Sequence, residues 1–415
     1  MANNNGSSPE KLPPEAKDGF VMMFGIAFVW FATHFGGGFA GGAQLYSYFI
    51  RYGITCVIFP LISIAIIAFV YWWGWRYARR QELYDYRSYN DSFYGKYAPI
   101  FSNLYEFLYV VIILVAPSVA FATGASLLMQ VTGIPYLASS ILIGVFIFIV
   151  CIFGTNVVRR ISTALSIIMI AALLVIYIPA IALQADQIGA AMSAMSAGTY
   201  QGADQYSLLD AIWWMLLYGI FQTSNVGLFV QHTRALKSWK SVGKVIGIGH
   251  VINAGFFMLA IFGLMTVANT PDISKVAVPL LNVIDVLPGA GALKVLASVL
   301  ILLACVSTAV TFISSMVKRL AVRFEGQDVV EAAEDRNRPT VKTVIFALVC
   351  CVICCFVAQF GLLPLIQQGY GFIGYLAIPI VVIPYIVNFI YVKIKGEKPT
   401  KAEREAAASE TPAAE

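Results

Sequence analysis

The sequence predicts an all-α integral membrane protein: ten transmembrane helices in two five-helix repeats of inverted orientation, with the first and sixth helices discontinuous. Three observations predict it: a charge content too low for a water-facing surface, ten apolar runs of spanning length, and a distribution of basic residues that suits ten crossings. Of the 415 residues, 59% are hydrophobic and 12% charged, and the mean hydropathy is +0.79. A soluble domain needs far more charge to cover its surface. The bilayer is therefore an expected partner, and no nucleic acid is.

A helix needs about 20 apolar residues to cross the hydrocarbon core. Runs of that kind fall at 20–50, 54–78, 100–130, 135–155, 157–184, 206–231, 241–268, 289–320, 339–359 and 369–394. With a cytoplasmic N-terminus, 24 of the 27 Lys and Arg residues lie inside, and only Arg51, Lys275 and Lys294 lie outside. Adding or removing one span would scramble that bias. Residues 1–18 lack an apolar signal region and read as a cytoplasmic tail, as do 395–415. The first repeat then covers 19–184 and the second 206–394. The third span of each half, 100–130 and 289–320, is unusually long. Five spans is an odd number, so the second half enters the membrane inverted, an architecture of transporters. A bacterial inner membrane with both termini in the cytoplasm is the expected location.

Within the first span, Gly36, Gly37, Gly38, Gly41 and Gly42 crowd around Phe39 and Ala40. Each glycine costs roughly 1 kcal/mol in a helix relative to alanine. Backbone freed at that depth must line an enclosed or wet cavity. Close helix packing is the competing reading. A dinucleotide fingerprint is rejected, because no strand precedes the glycines. The sixth span carries Tyr218-Gly219-Ile220-Phe221-Gln222-Thr223-Ser224-Asn225-Val226-Gly227. Four consecutive polar side chains cannot all face a bundle interior, so a second break is expected there. Paired interruptions point to a transporter's binding site. The candidate solute-binding residues are therefore Gly36, Gly37, Gly38, Phe39, Ala40 and Gly41 of the first break, and Tyr218, Phe221, Gln222, Thr223, Ser224 and Asn225 of the second.

Gly36-x-Gly38-Phe39-Ala40-x-Gly42-x-Gln44-Leu45-x-x-Tyr48-Phe49 resembles the first-helix signature of the YkvI-like membrane proteins. These belong to the amino acid–polyamine–organocation superfamily, with the LeuT fold. The motif match is confined to the first span, and the neutral Gln44 stands where relatives carry an acidic residue. The resemblance implies secondary transport and a sodium site between the broken first helix and the eighth. Sodium-coupled members present a small-x-x-hydroxyl-hydroxyl pattern in the eighth helix, and Ala304, Ser307 and Thr308 are similar to it. Carbonyls near His34 and Gly37 would complete such a site. The alternative is a hydroxyl stripe that only packs helices. Proton-coupled relatives place a lysine in the fifth span, which here holds only the Arg159-Arg160 entry pair. The resemblance also turns the middle of the third span toward the site, making Ser118 and Phe121 candidate wall residues.

His34 and Glu106 are the candidate proton or coupling residues, each with a structural alternative. His250 and Asn253 read as interhelical glue, and Ser207 with Asp210 as a helix cap. The seven cysteines read as packing residues, including Cys350, Cys351, Cys354 and Cys355. Trp72, Trp73, Trp75 and Trp213 read as interface anchors, and the Arg76–Tyr97 loop as one touching anionic headgroups. No cofactor is implied beyond a coupling sodium ion. A membrane-embedded enzyme would need paired carboxylates, a metal motif or a Ser–His constellation, and none is visible. A channel or non-transporting sensor on the same fold is the alternative. The leading expectation is ion-coupled transport of a small amino-acid-like or amine solute by alternating access.

Overall fold

The computed structural model describes residues 18–34, 36–153, 155–200, 206–335, 339–397, 399–400 and 403, but not the side chains of 33, 155–166, 331, 332, 334 and 335. The expected N-terminal tail, most of the C-terminal one, and the Arg159-Arg160 side chains thus lie outside the described residues.

Among the described residues the chain is helical throughout, with no strand. The first apolar stretch forms α1 (Phe20–His34), the one-turn α2 (Gly37–Ala40) and α3 (Ala43–Tyr48), followed by a 3₁₀ segment. Then come α4 (Phe59–Gln81), α5 (Tyr86–Tyr94), α6 (Ala98–Thr132), α7 (Tyr136–Phe153), α8 (Thr155–Leu183) and α9 (Ala185–Ser196). The remainder holds α10 (Leu208–Thr223), a 3₁₀ segment (Val226–Ala235), α11 (Ser241–Met265), α12 (Pro279–Asp285), α13 (Ala290–Glu325), α14 (Gln327–Asp335) and α15 (Val341–Ala358). The last helix, α16 (Leu362–Lys395), contains π turns at Leu365–Gly369 and Ile378–Val382.

Among the described residues, seven helices are long and apolar enough to cross a membrane, and an eighth follows if α8 and α9, bent by 77° at Gln184, count as one span. The chain is therefore a multi-pass helical membrane protein by helix length and composition. Two more apolar helices, Phe20–Ala32 and Leu208–Thr223, are too short to cross alone. They are the beginnings of the two runs expected to break. The third span of each half, expected to be unusually long, forms α6 and α13, of 35 and 36 residues. At 1.5 Å per residue each is about 50 Å long, well beyond a bilayer core of ~30 Å.

The packing divides these helices into two groups. In one, α6 runs along α13, and both contact α7 and α15, which also contact each other. In the other, α4 packs on α10 and α11, and α1 on α11. Helix α8 touches α11 and α13, while α16 leans on α10, α4 and α6. The one-turn α2 lies between α6 and α13, so the first break projects from one group into the other.

Each π turn leaves a backbone carbonyl short of its usual helical donor, and a tyrosine hydroxyl supplies one. Tyr48 donates to the Ile366 carbonyl at 2.9 Å and Tyr94 to the Ile380 carbonyl at 2.8 Å.

Two local expectations need correction. Trp75 is fully buried and donates to the Val226 carbonyl at 3.3 Å, while Trp73, also buried, donates to Asn388 at 2.9 Å. Both pack against protein, so neither is a lipid-interface anchor. The Arg76–Tyr97 connection contains α5, capped by Asp85. Its arginines are held by protein: Arg79 donates to the Leu236 and Lys237 carbonyls, and Arg76 and Arg80 pair with Glu397 beside Trp239. The connection after Leu183 holds α9, whose Ile188, Ala191 and Met195 are buried. That apolar face was legible at helical spacing. Ser207 and Asp210 do form a capping box on α10.

Candidate functional site

Both expected breaks are present. After His34 the chain leaves helical geometry at Gly36 (φ −76°, ψ 170°) and again at Gly42 (φ 87°), a left-handed conformation that favours glycine. Helix α10 stops at Thr223, and the chain turns through Ser224 and Asn225 into the 3₁₀ segment.

Freed backbone groups in an apolar medium cost several kcal/mol each unless paired. At the first break the Gly36 carbonyl accepts from Phe39 and Ala40, the Gly37 carbonyl from Gly41, and the Gly41 carbonyl from Leu280 of α12 at 3.1 Å. At the second, the Tyr105 hydroxyl of α6 donates to the Ser224 carbonyl at 2.6 Å and accepts from the Gly227 N–H at 3.0 Å. A Cβ on Gly227 would lie 2.8 Å from that hydroxyl, so only glycine permits the approach. Tyr105 escaped the sequence reading because a tyrosine near a span end resembles an interface anchor.

A cavity of about 670 Å³ opens between the breaks. His34 and Gly36 line it from the first, and Phe221, Gln222 and Asn225 from the second. Ala304, Ser307 and Thr308 of α13 line it as well, joined by Gln44 and Tyr370. It extends beside α1 as far as Phe24 and the exposed Val21, the end of α1 nearest the N-terminus. On the other side of Phe221, buried and half-buried aromatics close the path. Tyr48 packs edge-on against Trp214 and Tyr218, and Phe49 packs against Tyr218.

Several nominated residues stand elsewhere. Gly37 is packed against α13 and α6, since a Cβ there would meet Cys305 Sγ at 2.3 Å and Thr123 at 3.1 Å. Gly38 faces Ile366 and Val119, Phe39 packs on Phe257 at 4.9 Å, and Ala40 and Gly41 are buried. Tyr218 belongs to the aromatic closure, Thr223 bonds back to the Ile220 carbonyl, and Ser224 is held through its own carbonyl. Ser118 and Phe121 turn away from the cavity, toward Cys354 and Gly144. The α6 residues that line it are Ile112 and Ala116. At about 100° per residue, position 118 points nearly opposite to 116.

Glu106 does not line the cavity. It pairs with Arg319 of α13 at 3.1 Å and accepts from the Tyr86 hydroxyl, with the guanidinium over the Tyr109 ring. His34 does line it, 2% exposed, with Nδ1 2.7 Å from Asn253 Oδ1. Asn253 is thus the interhelical link between α1 and α11, and His250 takes no part in it.

The oxygens nominated for a cation are neighbours of the first break. A Cβ on Gly36 would lie 3.9 Å from Thr308 Oγ1. Ala304, Ser307 and Thr308 offer one carbonyl and two hydroxyl oxygens on one helical face, the donor type a hard cation takes. Gly37 is a weaker contributor, being pressed against Cys305 and Thr123 rather than lining the cavity. Among the described residues no cluster of His, Cys, Asp or Glu could hold a transition metal. None of the described residues lining the cavity is Asp, Glu, Lys or Arg.

The fold and cavity are those of a multi-pass helical membrane protein with a buried, uncharged polar site. The sequence matches no protein-family model, and a search of curated proteins finds no match.

Proposed function

We propose that this protein is a secondary active transporter of the LeuT fold, similar to the YkvI-like members of the amino acid–polyamine–organocation superfamily. In this reading it moves a small amino-acid-like or amine solute by alternating access, coupled to sodium. The observation that carries the reading is the single cavity shared by the two breaks and by Ala304, Ser307 and Thr308.

Ten crossings follow if each short apolar helix is the first part of a broken span: α1 continued by α2 and α3, and α10 by the 3₁₀ segment. These two spans add to the seven long helices and the bent pair. The halves 19–184 and 206–394 then hold five spans each, in opposite orientation, with both termini in the cytoplasm of a bacterial cell. On that orientation the cavity opens inward. The aromatic closure beyond Phe221 supports a transporter over an open channel, because it interrupts the path on one side. Proton coupling is the alternative to sodium and would run through His34, whose Nε2 is buried without a hydrogen-bond partner among the described residues.

Purified protein in proteoliposomes tests this with a panel of amino acids and amines, each with and without a sodium gradient. Accumulation of one solute that depends on sodium is the expected result. Accumulation driven by a proton gradient alone would replace sodium, and no accumulation in either arm would remove the transport assignment.

A further inference from the structure

The state of His34 follows from its neighbour. Asn253 Nδ2 donates to the Gly249 carbonyl at 2.8 Å, which fixes the orientation of the carboxamide and turns Oδ1 toward the histidine. An amide oxygen only accepts, so Nδ1 must carry the proton. In the neutral ring Nε2 is then a lone pair. An imidazolium would instead leave an Nε2–H buried with no acceptor among the described residues. Nε2 is buried and has no hydrogen-bond partner among the described residues. A buried acceptor left unpaired in a cavity is a place for a ligand's donor.

Two further features have the same sense. Asn225, from the second break, lines the cavity with Oδ1 buried and, among the described residues, unpartnered. Phe221 and Tyr370 also line it, their rings parallel within 5° and 4.9 Å apart. Aromatic faces attract ammonium groups and planar rings.

Resting on the transport reading above, we propose that His34 reads the amine end of the solute. Its Nε2 accepts an N–H from an aromatic or similarly flat amine or amino acid, and Asn253 is the positioning residue that sets the tautomer. The recognised group is the amine, and a carboxylate alone does not satisfy the site.

The test uses full-length protein labelled with ¹⁵N-histidine in lipid bilayers. The chain has 3 histidines, so the His34 signals are assignable by their loss in His34→Gln. Without ligand, Nδ1 is expected protonated and Nε2 not. Three matched probes are then added separately: phenethylamine, phenylalanine and phenylpropionate. The Nε2 resonance is expected to move with the first two and not with the third. In Asn253→Leu the tautomers mix and phenethylamine binds about tenfold more weakly, the loss appropriate to one charge-assisted hydrogen bond. A protonated Nε2 in the free protein, a shift with phenylpropionate, or no shift with phenethylamine overturns the proposal. Binding is read at equilibrium, so protein that passes this test and yet accumulates nothing in proteoliposomes would disprove the transport reading alone.

Discussion

The hydroxyl of Tyr105 donates to the Ser224 carbonyl and accepts from the Gly227 N–H. One side chain from α6 thereby pairs both a donor and an acceptor set free where α10 ends. Helix α6 belongs to the opposite packing group from α10, so the bond fastens the second break to the group it faces. Without it two polar groups would be buried unpaired, which helical packing alone cannot repair.

Tyr105→Phe is therefore expected to destabilise the protein by about 1–3 kcal/mol, the usual cost of leaving buried partners unsatisfied. Gly227→Ala should be comparably harmful, because its Cβ would meet the Tyr105 hydroxyl at 2.8 Å. The double variant should lose less than the sum of the two, since the phenylalanine removes the clashing atom. Thermal unfolding of detergent-purified protein measures all three, and strict additivity would contradict the shared contact.

The glycines of the first break should differ sharply in tolerance. Gly37→Ala would put a methyl 2.3 Å from Cys305 Sγ, so unfolding temperature and monodispersity should fall. Cys305→Ala in the same chain should restore part of the loss. Gly36→Ala meets nothing closer than Thr308 Oγ1 at 3.9 Å, and its φ suits any residue. It should fold normally and change ligand binding only. Equal damage at both positions would show that backbone freedom, rather than space, governs the run.

If the α13 oxygens hold sodium, Thr308→Ala and Ser307→Ala should weaken sodium-dependent thermal stabilisation. Titration of sodium chloride against choline chloride at constant ionic strength reads the effect. Loss of one oxygen ligand is expected to raise the apparent dissociation constant about tenfold, or ~1.4 kcal/mol. A choline response equal to that of sodium would assign the stripe to helix packing.

Asp18 precedes α1 and accepts from the Lys237 N–H at 2.8 Å and the Ser238 N–H at 3.4 Å. Partial burial raises its pKa, but hydrogen bonds from Ser241, Lys237 and Ser238 and the Lys237 charge outweigh that and leave it lowered. A lowered carboxyl contributes stability above its unfolded value of about 3.9, and the contribution is lost as pH falls through the folded value. Protection of the Lys237 and Ser238 amides from hydrogen exchange, corrected for the intrinsic rate, should thus be intact at neutral pH and decline below about pH 4. Asp18→Asn should reduce it at neutral pH and flatten the profile. A wild-type profile that is already flat would exclude the latch.

Much of the site's location was legible locally. Five glycines within seven positions and four adjacent polar residues at membrane depth are features of the chain itself, and both coincide with helix breaks. The Ser207–Asp210 cap was legible for the same reason. The faces were less so. Ser118 and Phe121 share a helix with Ile112 and Ala116, yet only the latter pair reaches the cavity. Gly36 and Gly37 are adjacent and chemically identical, yet one lines the cavity while the other is pressed against Cys305.

By itself, the amino-acid order determined that the chain lives in a membrane, which stretches are apolar enough to cross it, and where helical hydrogen bonding fails. Those are properties of composition and of short segments. Tertiary packing alone decided which side of each helix meets the cavity, that Tyr105 fastens the second break, and that Asn253 meets the His34 ring. The reason is physical: lipid and protein interior are both apolar, so a spanning helix carries little amphipathic signal to say which face turns inward.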